Sequence, residues 1–318
     1  MILLVYLSTY LPFKTVEPKL STTFAATLQQ ESPQPPARAA RGIEFIKSVL
    51  RNRLAAIGVL IVGVLIFVAL LAPWLAPYDP EQQFSSDARQ PPSAQYFFGT
   101  DTIGRDNFSR ILYGTRVSLL VGVASMVFAS MLGVTIGLVA GYYGGWLDTV
   151  LMRTMDALLA FPAVLLAIFI VSVLGPSLLN AILAVGIVYT PTFARLIRAS
   201  ALSIREKEYL ESARAIGLRD SQIMRRVILL NSLSPIVVQF SLGVGYAILV
   251  EAGLSFLGLG VQPPTPAWGS MLGYGRNYMA IAPWLTAFPG LAIFITVLGF
   301  NFVGDGLREA LDPRMRRI

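Results

Sequence analysis

The sequence predicts an all-α integral membrane protein, a helical bundle with about six transmembrane helices. Of its 318 residues, 55% are hydrophobic and only 14% are charged, whereas about a quarter of the residues in a soluble domain are charged. The mean hydropathy of +0.64 comes from apolar runs that are long enough to cross about 30 Å of hydrocarbon. Because one soluble core cannot bury this much apolar surface, lipid is expected to surround much of the chain.

The residue types that the chain lacks exclude several kinds of chemistry. It has no cysteine and no histidine, which removes disulfides, thiolate zinc sites, haem attachment and the usual proton shuttle. It also lacks a Gly-x4-Gly-Lys-Ser/Thr phosphate loop, so it cannot be an ATPase. We expect no catalytic residue, metal site or cofactor. The net charge of +7 comes with no aromatic-basic interleaving, so we expect no nucleic-acid partner.

Four regions follow from the distribution of apolar and polar residues. Residues 1–41 are predicted to be a disordered cytosolic tail. Residues 42–113 hold an interfacial helix, the first span and an external loop. Residues 114–307 form a five-span core with a cytosolic loop at 201–231, and residues 308–318 form a second cytosolic tail. The predicted spans are 54–74, 117–140, 150–174, 178–196, 234–257 and 283–303.

Lys and Arg collect on one side of these spans. The segments before the first span, between spans four and five, and after span six are basic. The turn at Gly175 has no basic residue, and the loop 258–282 has only Arg276. The positive-inside rule therefore places both termini in the cytosol, which requires an even number of spans.

The loop between spans four and five has the periodicity of two short helices. Tyr209, Ala213 and Ile216 recur at helical spacing, and Gly217 is placed to end that helix in a left-handed conformation. Asp220 or Ser221 can then cap a second helix. In that helix, one side would carry Ile223, Val227 and Leu230. A stiff elbow of this kind can dock on another protein, although the same pattern is typical of an amphipathic loop on the membrane surface.

This loop resembles the "EAA" loop of ABC-importer permeases. Glu211, Ala213 and Gly217 match that pattern, followed by Ile228-Leu229, whereas Ser212 replaces an alanine and Leu230 replaces a proline. The segments 50–55, 72–80, 98–106, 159–162 and 255–269 are similar to the "C-type" permeases of dipeptide, oligopeptide and nickel importers. The resemblance covers nearly all of the chain from Arg53 onward.

The resemblance implies a multi-pass subunit of the bacterial inner membrane that transports peptides by alternating access. Its implied partners are a homologous second permease, two cytosolic ATPase subunits that bind ATP and Mg, an extracytoplasmic substrate-binding protein and the lipid bilayer. The residues implied for coupling to the ATPase are Glu208, Tyr209, Glu211, Ser212, Ala213, Ala215, Gly217 and Leu218.

Polar groups and prolines within the spans suggest further functional positions. A charge inside a span is costly, so we predict that Glu251 faces the translocation path or the second permease. Asp148, Asp156 and Asp305 lie near span ends. We expect each of them to be a structural partner of a neighbouring Arg or of a helix end.

Three further features are tied to the path and to its outer rim. Pro162 and Pro191 interrupt spans three and four, as a hinge or as a static kink. The loop 258–273 and residues 78–113 are predicted to form a rim that docks the binding protein. The rim residues are Asp101, Arg105, Asp106 and Trp268.

Two other classes of protein remain as alternatives. An ion-coupled secondary transporter would need buried carboxylates or broken helices at mid-membrane. An intramembrane enzyme would need a Ser/Lys, paired-Asp, His or metal constellation at depth, and none is visible. Within the ABC class, nickel or another small solute could replace peptides as the substrate.

Overall fold

The structure, a computed structural model, describes residues 49–311. The predicted tail 1–41, most of the interfacial helix and the end of the second tail lie outside the described residues. The helices are α1 (Arg53–Leu75), α2 (Asn107–Tyr143), α3 (Gly145–Leu159), α4 (Ala163–Leu174), α5 (Leu178–Arg205), α6 (Glu208–Ala215), α7 (Asp220–Gln222), α8 (Leu233–Phe256), α9 (Trp268–Gly275) and α10 (Trp284–Leu311). A π-helical segment, Ile223–Leu229, continues α7.

The prediction of an all-α membrane bundle is confirmed. In the described part, α1, α2, α5, α8 and α10 are each long and apolar enough to cross a membrane. The pair α3 and α4 supplies a sixth candidate span, bent by 94°.

Three helices, α2, α5 and α10, extend well beyond the spans predicted for them. The helix α2 begins ten residues before the predicted span, because the Asp106 carboxylate caps it by accepting from the Ser109 N–H at 2.8 Å. The helices α5 and α10 run on through polar residues to Arg205 and Leu311. Hydropathy detects only the part of a helix that lies in hydrocarbon, and a helix continues until a cap or a breaker ends it.

The predicted third span, 150–174, is wrong as a single helix. Pro162 has an extended ψ of 132° and forms the N-cap of α4, while Ala160 ends α3. Because α4 has only 12 residues, it measures about 18 Å, less than the hydrocarbon core. Pro162 is thus a break between two helices and not a kink within one. In contrast, Pro191 lies buried inside the continuous helix α5.

The helix α1 lies at the edge of the bundle, with most of its apolar surface exposed. Pro73 inside it has no N–H, so the Ala69 carbonyl four residues earlier loses its helical donor. The Arg116 guanidinium of α2 donates to this carbonyl and, at 3.1 Å, to that of Leu70. A side chain of α2 therefore repairs the hydrogen bond that Pro73 removes.

Glycines bring α2 and α5 into close contact at the centre of the bundle. A Cβ atom at Gly133 would lie 2.5 Å from the Thr190 carbonyl oxygen, and one at Gly137 would lie 2.4 Å from that of Ala194. In lipid, where apolar burial drives little association, such close packing holds helices together. The main core cluster joins these two helices to α4 and α8 through side chains such as Met126.

One end of the bundle is covered by ordered loops, which we call the cap: residues 76–106 and 257–283, including α9. Within the cap, Tyr78, Phe84 and Tyr96 form an aromatic cluster, and the Tyr96 hydroxyl donates to the Asp87 carboxylate at 2.7 Å. Burial and this hydrogen bond raise the pKa of Tyr96 to about 12.

Candidate functional site

At the end of the bundle opposite the cap, α6, the turn at Gly217, α7 and the π-helical segment form the predicted elbow, residues 208–229. The helix α6 ends in a Schellman motif, in which Leu218 N–H donates to the Ala213 carbonyl at 3.2 Å and Gly217 N–H donates to that of Arg214 at 2.9 Å. The motif requires the left-handed φ of +79° at Gly217. The expected left-handed end of this helix is confirmed.

The second half of the elbow packs differently from the prediction. Ile223 and Ile228 are fully buried, whereas Leu230 is 57% exposed. The π-helix explains this difference, because its i→i+5 hydrogen bonds bring residues five apart onto one side. The predicted face of Ile223, Val227 and Leu230 assumed the α-helical period and is wrong at Leu230.

The cap of α7 is also different from the prediction. Arg219 is the N-cap residue, and its N–H donates to the Gln222 side chain at 3.0 Å. The Asp220 carboxylate instead accepts from the Tyr142 hydroxyl of α2 at 2.6 Å. This bond ties the elbow to the end of α2.

The elbow combines a buried side and an exposed side. Leu210 is buried in a cluster with Ile197 of α5 and Ile223, and Ala213 is buried as well. The predicted coupling residues that lie on the surface are Glu208, Glu211, Ser212, Ala215 and Gly217. Ile216, which was expected to pack on the helical face, is 77% exposed instead. The elbow thus presents an apolar side chain beside two carboxylates to the surroundings.

Only short connections link the elbow to two long helices. Glu206 and Lys207 separate α5 from α6, and Leu230 to Ser232 separate the π-helical segment from α8. The buried Ser232 hydroxyl donates back to the Ile228 carbonyl at 2.8 Å. A displacement of the elbow would therefore pass directly into α5 and α8.

The four predicted rim residues are buried within the single subunit, and their docking role stays a prediction. The Asp101 carboxylate accepts from Ile103 N–H at 3.0 Å, from Arg105 N–H at 2.9 Å and from Arg105 Nε at 2.6 Å. The Asp106 side chain caps α2, and the Trp268 indole donates to the Ile111 carbonyl at 3.1 Å. These side chains hold the cap together.

Two adjoining cavities, of about 420 and 270 Å³, form a groove in the cap that we call the cap cleft. Thr102, Pro263, Ser270 and Tyr274 line both cavities. Sequence reasoning missed this cleft, because its walls come from two regions, 102–110 and 255–278, that are far apart in the chain.

Glu251 lies inside the subunit with no exposed surface. Its Oε1 accepts from the Ser255 hydroxyl at 2.6 Å, and Ser255 Oγ accepts in turn from Val261 N–H at 3.2 Å. Its Oε2 has no partner among the described residues. Within the single subunit Glu251 is therefore enclosed and connects α8 to the cap, and its place on the translocation path or at the permease interface stays a prediction.

Acidic residues near span ends form ion pairs with α5, as expected for two of the three. Asp148 accepts from Arg198 through two bonds of 2.6 Å, and Asp156 accepts from Arg195 at 2.5 Å. These pairs hold α3 against α5. Asp305 forms no ion pair with another residue of the described range.

A cavity of about 630 Å³ opens at the elbow end between α5, α8 and α10. Its polar lining includes Asn231, Gln239 and Arg308. None of these three residues was predicted as a site residue, although Gln239 is a polar residue within an apolar span.

Comparison with known proteins finds relatives along most of the chain. Residues 133–317 match the family described as "Binding-protein-dependent transport system inner membrane component". Residues 42–92 match the "N-terminal TM domain of oligopeptide transport permease C". The dipeptide transport system permease protein DppC of Alkalihalophilus pseudofirmus is 49% identical over 273 residues, which are 86% of this chain and 90% of that protein.

A second relative and a solved structure extend this comparison. The glutathione transport system permease protein GsiD of Pectobacterium atrosepticum is 49% identical over 274 residues, which are 86% of this chain and 91% of that protein. An inward facing conformation of the MetNI methionine ABC transporter has a similar fold, with a TM-score of 0.53 and 19% identity. The match covers 64% of this chain and 97% of that one.

Proposed function

Since the chain belongs to the family of binding-protein-dependent transport system inner membrane components, and is therefore a multi-pass permease subunit of an ABC importer, we propose that it forms half of a translocation pathway for di- and oligopeptides. The observation that carries the substrate class is the pair of relatives named for dipeptide and glutathione transport. Glutathione is a tripeptide, so both relatives are named for the transport of short peptides. Nickel and other small solutes are the competing substrates.

The proposed assembly has five or more chains. A second, homologous permease completes the pathway, two cytosolic ATPases bind and hydrolyse ATP with Mg, and an extracytoplasmic protein delivers the peptide. This chain would contribute no catalytic residue and no cofactor. The missing phosphate loop and the exposed elbow support this division of labour.

In the proposed orientation the elbow end lies in the cytosol and the cap lies outside. Arg195, Arg198 and Arg205 at the elbow end of α5 support this orientation. Both termini would then also be cytosolic, as the regions 1–41 and 308–318 were expected to be.

Coupling would pass from the ATPase through the elbow. The exposed carboxylates of Glu208 and Glu211 and the apolar Ile216 are suited to a groove with basic and apolar walls. As the ATPase dimer closes and opens, the elbow would carry α5 and α8 with it. The helix α8 ends at the cap, so one rigid element would link ATP turnover to the outer side.

The test is uptake by the complete transporter in proteoliposomes. The proposal expects uptake of a labelled dipeptide that requires both ATP and the binding protein, and that persists when ionophores collapse the proton and sodium gradients. Uptake that needs a gradient but no ATPase would establish the ion-coupled alternative instead. Nickel uptake without peptide uptake would refute the substrate class.

A further inference from the structure

The wall of the cap cleft has an unusual balance of charge. Every charged side chain among its lining residues is an arginine: Arg105 and Arg110 line the smaller cavity, and Arg276 lines the larger one. The remaining polar wall includes Thr102, Ser270 and Tyr274. Such a wall is rich in hydrogen-bond donors and carries positive charge.

The carboxylate behind this wall does not balance the charge. Asp101 lies 3.9 Å from Arg110 Nε, but its oxygens already accept from Arg105 and from two backbone N–H groups. Asp106 is buried as the cap of α2 and is not among the residues of the cleft wall. One buried carboxylate thus stands beside two guanidinium groups in this part of the wall, and the exposed Glu81 acts on Arg110 without forming an ion pair with it.

Arg110 is costly in this position. Its side chain is only 3% exposed, and it donates through one nitrogen to the Pro80 carbonyl at 2.8 Å. Buried charges are normally paired closely, because removing them from water is expensive. A cationic group held this way against a cavity favours an anionic ligand.

Arg276 extends the positive charge to the mouth of the cleft. Its guanidinium lies 5.2 Å from the centre of the Phe256 ring. No carboxylate among residues 49–311 lies within ion-pair distance of it. The Phe256 ring orients this guanidinium without neutralising it, and it remains able to form a bidentate pair with a carboxylate.

We propose that the cap cleft is a carboxylate-binding site that receives the C-terminal carboxylate of the transported peptide. The proposal rests on the proposed function, since the peptide is the ligand that this function brings to the outer side. Each peptide carries one such group whatever its side chains are, so the site would hold different peptides in the same way. The larger cavity has room for the terminal residue beside Tyr274 and Asn277.

The same chemistry has a second source, an acidic side chain of the binding protein, and the experiment separates the two. The complete transporter is reconstituted with Arg276→Gln, Arg276→Glu or Arg276→Lys. The matched control is Arg89→Gln, because Arg89 is exposed, lies in the cap and stacks on Tyr278 but does not line the cleft. Arg276 is exposed as well, so these variants are expected to assemble.

Two quantities are measured: the affinity of the peptide-free binding protein for the transporter, and the peptide uptake rate at saturating peptide-loaded binding protein. We expect Arg276→Gln to lower uptake about tenfold, as the loss of a charge-assisted hydrogen bond does, and Arg276→Glu to lower it further. Arg276→Lys keeps the charge but not the bidentate geometry, so its uptake should lie between those of the wild type and Arg276→Gln. The affinity for the peptide-free protein should not change.

The other outcomes are equally definite. A tenfold loss of affinity for the peptide-free binding protein would assign the carboxylate to that protein and overturn the assignment to the peptide. If Arg276→Glu matches Arg89→Gln in both quantities, the cleft binds no carboxylate. Absence of peptide uptake by the wild type would refute the proposed function itself. If the wild type and Arg276→Glu transport peptide equally well, only the carboxylate site is refuted.

Discussion

Replacing Gly217 is expected to loosen the elbow without displacing any neighbouring atom. A Cβ atom built at this position meets nothing within 4 Å, so a side chain has room in the isolated subunit. The cost lies in the backbone, because the Schellman motif holds Gly217 at a φ of +79°. An L-residue pays roughly 1–2 kcal/mol to adopt the left-handed region.

The magnitude depends on which residue replaces Gly217. Alanine should cost roughly 1 kcal/mol, and valine more because it is β-branched. Asparagine tolerates the left-handed region and should cost the least. A loss of 1.4 kcal/mol makes local opening about tenfold more frequent. The two hydrogen bonds that close α6 would break in the opened state.

The assay combines hydrogen exchange with transport. Exchange of the Leu218 amide reports directly on its bond to the Ala213 carbonyl, and it should accelerate in the order wild type, Asn, Ala, Val. Binding-protein-stimulated ATP hydrolysis and peptide uptake should fall in the same order, while assembly of the complex is unchanged.

Two results would refute this reasoning. If Gly217→Val supports normal uptake in an assembled complex, the elbow does not couple the subunits. If Gly217→Asn is as damaging as Gly217→Val but exchanges as slowly as the wild type, a partner approaches the Gly217 backbone closely and the conformational cost is not the cause.

Three further predictions follow from packing and hydrogen bonding. Gly137→Val should lower the free energy of unfolding of the detergent-solubilised protein by about 1–3 kcal/mol, since α2 and α5 must separate. Gly63→Val should not lower it, because a Cβ at Gly63 meets nothing within 4 Å, and equal stability of the two variants would contradict the packing described. Glu251→Gln should keep an acceptor for Ser255 and remain near wild-type stability in the same assay. Glu251→Leu leaves the Ser255 hydroxyl without an acceptor and should lower the free energy of unfolding by about 1–3 kcal/mol. A stable leucine variant would show that the link to the cap is unimportant. Burial and Asp87 raise the pKa of Tyr96 to about 12, above the unfolded value of about 10, so the stabilising contribution of Tyr96 should be complete below pH 10 and be lost between about pH 10 and 12. Denaturant unfolding of Tyr96→Phe should lack this loss, and parallel pH profiles of the variant and the wild type would disprove the prediction.

Local signals in the sequence were sufficient for the bundle and for the end of α6. The apolar runs identified the five long spanning helices, because lipid imposes length and composition on each span independently of its neighbours. Gly217 revealed its left-handed turn because few other residues adopt that conformation. Both features depend on residues that are close in the chain.

The sequence could not reveal features that depend on neighbours distant in the chain. The apolar run 150–174 contains a break that hydropathy does not detect, since hydropathy carries no information on the direction of a helix on either side of Pro162. The burial of Trp268 depends on the Ile111 carbonyl, which is 157 positions away. The π-helical period of Ile223 and Ile228 changes which side chains face inward, and no residue type marks it. The cap cleft likewise needs two regions that are about 150 positions apart, 102–110 and 255–278.

The way α1 packs against the bundle suggests that evolution could add or remove this helix as a unit. Its seam with α10 is made of small residues: a Cβ at Gly306 would lie 2.2 Å from the Cβ of Ala55, and one at Gly58 would lie 2.7 Å from the Cβ of Phe302. Its other anchor is the Arg116 guanidinium. Because few of its residues are buried, a gene could gain or lose it without redesigning the interior. A chain cut in the loop between α1 and α2 should therefore reassemble from two co-expressed fragments.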